Sequence, residues 1–353
     1  MSTRMAREIA EQPEAVRRTL EALRPLRPGL TGLLTGRRRV LFAARGTSDH
    51  AAIYGRYLLE THAGVLGGLC SPSIATHYHS RLDLSDTVVV GVSQSGATEE
   101  IVATLAWARG CGAATVAVTN GAGSALAQSA DLALVTRAGA ELAVPATKTY
   151  LAQLVAMTVI GSAAAPDPGV LDAALDRVPD VVADLLDARQ GVNEAVAVLR
   201  EVAYTVVSGR GLMLGTALET ALKLEETCLR PVRGYSYADL RHGPISVVTE
   251  GMAALLVAAP DGPMLQPMVE LASDLAGRGA MVVGIGGDDA FRSVCDVQVR
   301  GPALPETLAP LGAIVPAQLV VEALARSLGL DPDAPRGLAK VTSTDPAHEG
   351  DHR

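Results

Sequence analysis

Aromatic side chains are scarce in this chain of 353 residues: they make up 3% of it, with one tryptophan and two phenylalanines. The apolar fraction of 48% therefore rests mainly on alanine, valine and leucine, the usual filling between helices and a parallel sheet. Cysteine is also rare. Cys70, Cys111, Cys228 and Cys295 lie far apart and form no Cys-x-x-Cys pair. This spacing argues against a zinc site or a disulfide framework and fits a reducing cytoplasm. Long basic runs are missing, and the formal net charge is −8. The one basic triplet, Arg37-Arg38-Arg39, leads straight into an apolar strand and reads as a solvated strand entry, so no nucleic-acid partner is expected. Residues 1–20 mix charges of both signs around no apolar centre, so no signal peptide is expected. No uninterrupted apolar run reaches the length of a membrane span. The nearest, 152–165, contains Gly161 and stops at Pro166, which reads as a buried helix.

What is present is an alternation of short apolar strands and helices. A helix is expected over 5–24, a loop over 29–36, and strands over 40–44, 66–70, 87–92, 114–119 and 132–136. Helices run from 49 to about 61 and from the loop after residue 92 to 109. After a break at 166–169 the pattern restarts: helix over 171–200, strands at 204–208, 252–258, 280–285 and 296–299, and helices to 229, over 263–277 and over 306–328. This is the signature of doubly wound parallel sheets in an α/β fold. Strand, Gly turn and helix at 40–61 recur at 204–229, with Arg45-Gly46 and Arg210-Gly211 in register, which reads as an internal duplication. The expected division is an N-terminal helical segment (1–34), a first α/β domain (35–168), a second (195–330) and a tail (331–353).

Residues 87–98 carry the strongest chemical signal. The apolar run Thr-Val-Val-Val-Gly-Val ends in Ser93-Gln94-Ser95-Gly96-Ala97-Thr98, and a helix starts at Glu99. Three hydroxyls and a row of backbone N–H groups meet where a helix dipole is positive, an arrangement suited to an anion and above all to phosphate. No Gly-Lys-Ser/Thr follows, so this is not the phosphate loop of nucleotide hydrolases. Phosphate held by hydroxyls, without lysine or metal, points to a small phosphorylated metabolite. Thr47 and Ser48 also follow a strand and would lie at the same edge of the sheet. Ser48 taken alone reads as a helix cap.

In the second unit Glu219, Lys223 and Glu226 share one side of a helix, opposite Leu214, Ala217, Ala221, Leu224 and Cys228. Spacing alone makes them a solvated Glu–Lys pair. The nearby Asp239-Leu-Arg-His242-Gly-Pro244 turn weakens that reading, because a carboxylate, an amine and an imidazole close together form a plausible acid–base set.

Residues 93–98, the Glu-x-Ala-Leu-Lys-Leu-x-Glu run at 219–226, Asp-Leu-Arg-His-Gly-Pro at 239–244 and Ala-Pro-Arg-Gly-Leu-Ala-Lys at 334–340 resemble the sugar isomerase (SIS) domain family. The pattern is similar to the isomerase half of glucosamine-6-phosphate synthases and to stand-alone relatives, over about residues 5–345. The resemblance implies two tandem SIS domains, each a flavodoxin-like three-layer sandwich, and a homodimer in the cytoplasm. It implies that a sugar phosphate is bound by Ser93, Gln94, Ser95 and Thr98, with Thr47 and Ser48 near the sugar and Val144 and Ala146 lining its pocket. It assigns Glu226 as the base moving a proton between C1 and C2, and Lys223 as the group steadying the enediol-like intermediate. His242 would open the sugar ring from the partner subunit, and Lys340 would meet the open-chain carbonyl as an amine able to form a Schiff base. No metal or other cofactor is needed for such chemistry.

The chain starts Met1-Ser2-Thr3 and reaches this material almost at once, without the N-terminal cysteine nucleophile of the synthases. With Ala-Arg-Gly-Thr-Ser-Asp-His at 44–50 and Lys-Val-Thr at 340–342, it looks more like glucosamine-6-phosphate deaminases, which yield fructose 6-phosphate and ammonia. The alternatives are a fructosamine-6-phosphate deglycase, an ammonia-dependent synthase-like isomerase and a non-catalytic sugar-phosphate sensor.

Overall fold

The computed structural model describes residues 2–187 and 189–340. Two five-stranded, wholly parallel sheets dominate it. The first contains β1 (Arg39–Ala43), β2 (Leu66–Leu69), β3 (Thr87–Val92), β4 (Ala114–Thr119) and β5 (Leu132–Val135), in the order β2-β1-β3-β4-β5. The second contains β6 (Thr205–Gly209), β7 (Val232–Ser236), β8 (Ala253–Ala258), β9 (Met281–Gly286) and β10 (Val297–Val299), in the order β10-β9-β8-β6-β7. Read from the β7 edge, the second order repeats the first. Both are the flavodoxin-like doubly wound order, with the reversal of direction beside the first strand of each unit. The duplication extends to the backbone: Gly46 and Gly211, each after an arginine, have φ of 54° and 60°.

The central strands β3, β4 and β8 are buried at every position, as their unbroken apolar runs require when helices cover both faces. One hydrophobic cluster runs through both halves, from Val88 and Leu154 to Leu255 and Ile314. The helices Thr47–Leu58 and Leu214–Cys228 cross at this junction. A Cβ on Gly215 would come within 2.4 Å of the His50 carbonyl oxygen, so glycine sets how closely the two backbones approach. Tyr54 reinforces the junction by donating its hydroxyl to the Thr307 carbonyl at 2.8 Å.

Several expectations need correction. The loop expected at 29–36 is mostly the helix Arg27–Leu34, because Leu30 and Leu34 bury one helical face and outweigh the two glycines within it. The helix at 5–24 is two, Arg4–Ala10 and Gln12–Leu23, and the helical stretch at 171–200 is three. β7 lies in a stretch read as irregular. It is an edge strand pairing only with β6, and a Cβ on its Gly234 would sit 2.8 Å from a Leu218 methyl. The helix Ala309–Ser327 is long and apolar enough to cross a membrane, contrary to the reading that no stretch is. It is 89% buried within the protein, the mark of a core helix. The last thirteen residues, with Val341 and Thr342 of the tail motif, lie outside the described residues.

Candidate active site

A cleft of about 310 Å³ opens at the carboxyl ends of β1 and β3, where the order of the first sheet reverses. Its floor is the loop from Ser93 to Thr98. Thr98 occupies the N-cap position of the helix Glu99–Gly110 but makes no capping bond with its side chain. Its hydroxyl lies 3.0 Å from the Ser93 hydroxyl. Ser93 Oγ accepts from the Gly96 N–H and Ser95 Oγ from the Ala97 N–H, each at 3.2 Å. The loop is thus folded around its own hydroxyls, and the first helical N–H groups have no intrahelical partner.

The loop after β1 forms the adjoining wall. Ser48 lies inside its helix, and Gly46 takes the capping position, so the reading of Ser48 as a cap fails. Its Oγ accepts from Gln153 Nε2 at 2.9 Å, which holds the hydroxyl at the cleft. Arg45 also lines the cleft. A cation thus stands at the same cleft as the hydroxyls of the loop.

The opposite wall comes from the second half of the chain. Lys223 Nζ lies 2.5 Å from Glu226 Oε2 and 3.4 Å from Glu219 Oε1. The Glu219 and Lys223 side chains are 0% and 2% exposed, so the solvated-pair reading of this helix is wrong. Spacing could not reveal this, because the covering atoms belong to the other half. Glu219 also accepts from Thr47 Oγ1 at 3.0 Å and meets His50 Nδ1 at 2.8 Å. Burial alone would drive the Lys223 ammonium to release its proton. The carboxylates of Glu219 and Glu226 outweigh that penalty and hold its pKa above the ordinary lysine value. The cleft thus contains a firmly charged ammonium beside a carboxylate, Glu226, that is about a quarter exposed.

Lys340 closes the third side. Its Nζ donates to Glu141 Oε2 at 2.8 Å and to the Ala143 carbonyl at 2.7 Å. Glu141 is fully buried and also accepts from the Thr147 and Thr149 backbone N–H groups and the Thr149 hydroxyl. Its burial raises the carboxyl pKa. Lys340 and these donors reverse the effect and leave it below the usual glutamate value. The same residues fix the segment carrying Val144 and Ala146, both at the cleft. The chain's N-terminal segment buttresses it through Glu8, which accepts from the Ala143 N–H at 3.3 Å, and Glu11, which meets the buried Lys148 Nζ at 2.5 Å.

Every site residue singled out from the sequence lines this one cleft except His242 and Glu219, which is buried against Thr47, His50 and Lys223. His242 is exposed, at the end of the short helix Tyr237–Arg241, and lies outside the cleft of its own chain. Sequence reasoning missed Glu141, His50, Gln153 and Arg45 as members of the site. Arg45 and His50 flank Thr47-Ser48, which was a usable signal. A lone glutamate at 141 and a glutamine inside an apolar helix carry none.

The SIS domain model matches residues 33–163 and again 199–327. The glutamine–fructose-6-phosphate aminotransferase (isomerizing) of Pyrococcus horikoshii is 32% identical over 346 residues, which is 97% of this chain and 58% of that protein. The chain thus spans under three fifths of that relative's length. Among solved structures, a candidate phosphosugar isomerase from Silicibacter pomeroyi is 35% identical with a TM-score of 0.86, covering 94% of this chain and all of that one. The glucosamine-6-phosphate deaminase of Thermotoga maritima shares the fold at a TM-score of 0.73 and 22% identity, over 97% of this chain and all of that one. With both sheets and both flanking sets of helices accounted for, this chain belongs to the SIS domain family and carries two SIS domains in tandem.

Proposed function

We propose that the chain is an amino-sugar-phosphate isomerase that works as a deaminase, converting glucosamine 6-phosphate and water to fructose 6-phosphate and ammonia. The observation that carries this reading is the meeting, in one cleft, of a hydroxyl-lined anion loop from the first half and a carboxylate–ammonium pair from the second. The loop anchors the phosphate, so that C1 and C2 lie near Glu226. The Glu226 carboxylate takes the proton from C2 and returns it to C1, and the Lys223 ammonium steadies the oxygen that gains negative charge. The resulting 2-imino ketose is hydrolysed by water. Lys340, positioned by its hydrogen bond to Glu141, serves the open-chain carbonyl as a hydrogen-bond donor. His242 takes part in ring opening only as a contribution from a second copy.

The 32% identity to an isomerizing aminotransferase favours a second reading, in which the same proton transfer runs from fructose 6-phosphate towards glucosamine 6-phosphate. The purified protein with glucosamine 6-phosphate is expected to release ammonia and fructose 6-phosphate in equal amounts, and Glu226→Gln to lower kcat by about 10²–10⁴-fold. Faster formation of glucosamine 6-phosphate from ammonia and fructose 6-phosphate would establish the second reading, and turnover of fructosamine 6-phosphates alone a deglycase. Binding without turnover would make the chain a sensor. Co-expressed Glu226→Gln and His242→Asn chains should regain up to about a quarter of the activity if the histidine crosses between copies, and none if it does not.

A further inference from the structure

Arg45 stands at the cleft with no part in the chemistry above. Its Nε donates to Glu100 Oε2 at 3.0 Å and one terminal nitrogen to Glu100 Oε1 at 2.7 Å. This is the bidentate fork of an arginine–carboxylate pair, and it leaves the second terminal nitrogen with its donors for a ligand. The pair spans the cleft floor, from the loop after β1 to the first turn of the helix whose N-terminus forms the anion loop. That turn carries Glu99 and Glu100, and the Glu100 side chain is only 8% exposed, so water screens its charge poorly. Glutamates there suit the helix dipole but repel an incoming phosphate.

The second half of the chain provides a comparison. Gln266 stands where Glu100 stands in the first half, counting from the ends of β8 and β3. The arginine matching Arg45, Arg210, has no carboxylate there and stacks on the Tyr237 ring, 4.1 Å from its centre. The arginine is thus held towards the loop only in the half with the hydroxyl loop.

We infer that Arg45 is a specificity-determining residue. Glu100 aims its guanidinium at the bound phosphate, where it offsets the glutamates and makes the site select a doubly charged phosphate over an uncharged sugar. This rests on the reading of the cleft as a phosphosugar site.

The test is calorimetric titration of the intact protein with inorganic phosphate, together with steady-state kinetics on glucosamine 6-phosphate. Arg45→Gln is expected to weaken phosphate about ten- to a hundredfold and to raise KM by a similar factor with kcat unchanged. Arg45→Lys, which keeps the charge without the fork, should fall between. Glu100→Gln discriminates the roles by sign. If Arg45 contacts the phosphate, a glutamine whose amide oxygen still accepts from Arg45, but whose negative charge is gone, leaves binding equal or tighter. If the pair only staples two loops, Glu100→Gln and Arg45→Gln weaken binding alike, and the inference is overturned. It is also overturned if Arg45→Gln binds phosphate as the wild type does, or if Arg45→Lys, folded by circular dichroism, is no better than Arg45→Gln. A wild-type protein that does not bind phosphate at all removes the phosphosugar reading itself, a separate result from the other two.

Discussion

The two halves share a strand order and even the spacing of their turns, yet one leaves an open cleft and the other fills the same place with its own side chains. After β3 the chain reads Ser-Gln-Ser-Gly-Ala-Thr, and after β8 it reads Ala-Pro-Asp-Gly-Pro-Met. Both loops have six residues and a glycine of positive φ at the fourth, Gly96 and Gly262. In the first half three hydroxyls shape the loop and the cleft stays open. In the second the Glu306 side chain packs so closely on Gly262 that a Cβ there would lie 2.2 Å from its Oε2, and Asp261 accepts from the Glu306 backbone N–H at 2.7 Å. Carboxylates repel the anion that hydroxyls attract. The duplicated backbone therefore supplies a position, and six side chains decide whether that position stays open. The second half contributes instead through its helix Leu214–Cys228, which turns Lys223 and Glu226 into the other half's cleft.

Four substitutions sharpen or break this contrast. The largest effect is expected from Glu141→Gln, since only the first cleft is closed by a tail lysine. Removing one partner of a buried ion pair should cost about 3 kcal/mol in chemical denaturation. The pH dependence has a definite sign. The folded carboxyl lies below its ordinary value of 4.5, so its contribution is complete above that value and is lost as the pH falls towards the folded one. The variant should lack this acid limb, and an unchanged acid limb would place the buried charge elsewhere. Next comes Ser93→Ala, expected to weaken phosphate about tenfold through loss of one buried hydrogen-bonding hydroxyl. The matching Asp261→Asn should leave phosphate binding within about twofold of the wild type. Equal losses at the two loops would abolish the distinction between the halves. The smallest effect is expected from Glu306→Gln. Burial, and then the Asp261 carboxylate, raise the Glu306 carboxyl above 4.5, so its contribution is complete below that value and is lost as the pH rises through the raised one. The variant should be as stable as the wild type at pH 7, within about 1 kcal/mol, and flatter as the pH rises above 4.5.

Much of this was legible in the sequence, for physical reasons that vary by element. The buried strands could be read because a strand covered on both faces must be apolar throughout, as in Thr87–Val92. The edge strand Val232–Ser236 could not, because only Val232 of its five residues is buried and its glycine looks like a turn. The helix Arg27–Leu34 was lost to the same ambiguity, with two glycines outweighing three leucines on paper but not in the core. Among the site residues, the hydroxyls of 93–98 were legible because an apolar strand ending in Ser, Gly and Thr before a helix has few other uses. Glu141 was not, since nothing local distinguishes a buried glutamate from a solvated one.

By itself the sequence determined the α/β class, the duplication and the hydroxyl-rich loop at 93–98, because all of these depend on residues near one another in the chain. Only the tertiary structure decided which charges are buried. Glu219 is enclosed because Thr47 and His50 of the other half lie against it, and Lys340 is drawn in by a carboxylate 199 residues away. Burial depends on what the rest of the chain places opposite a residue, and in this protein the opposite wall of the cleft always comes from a distant part of the chain.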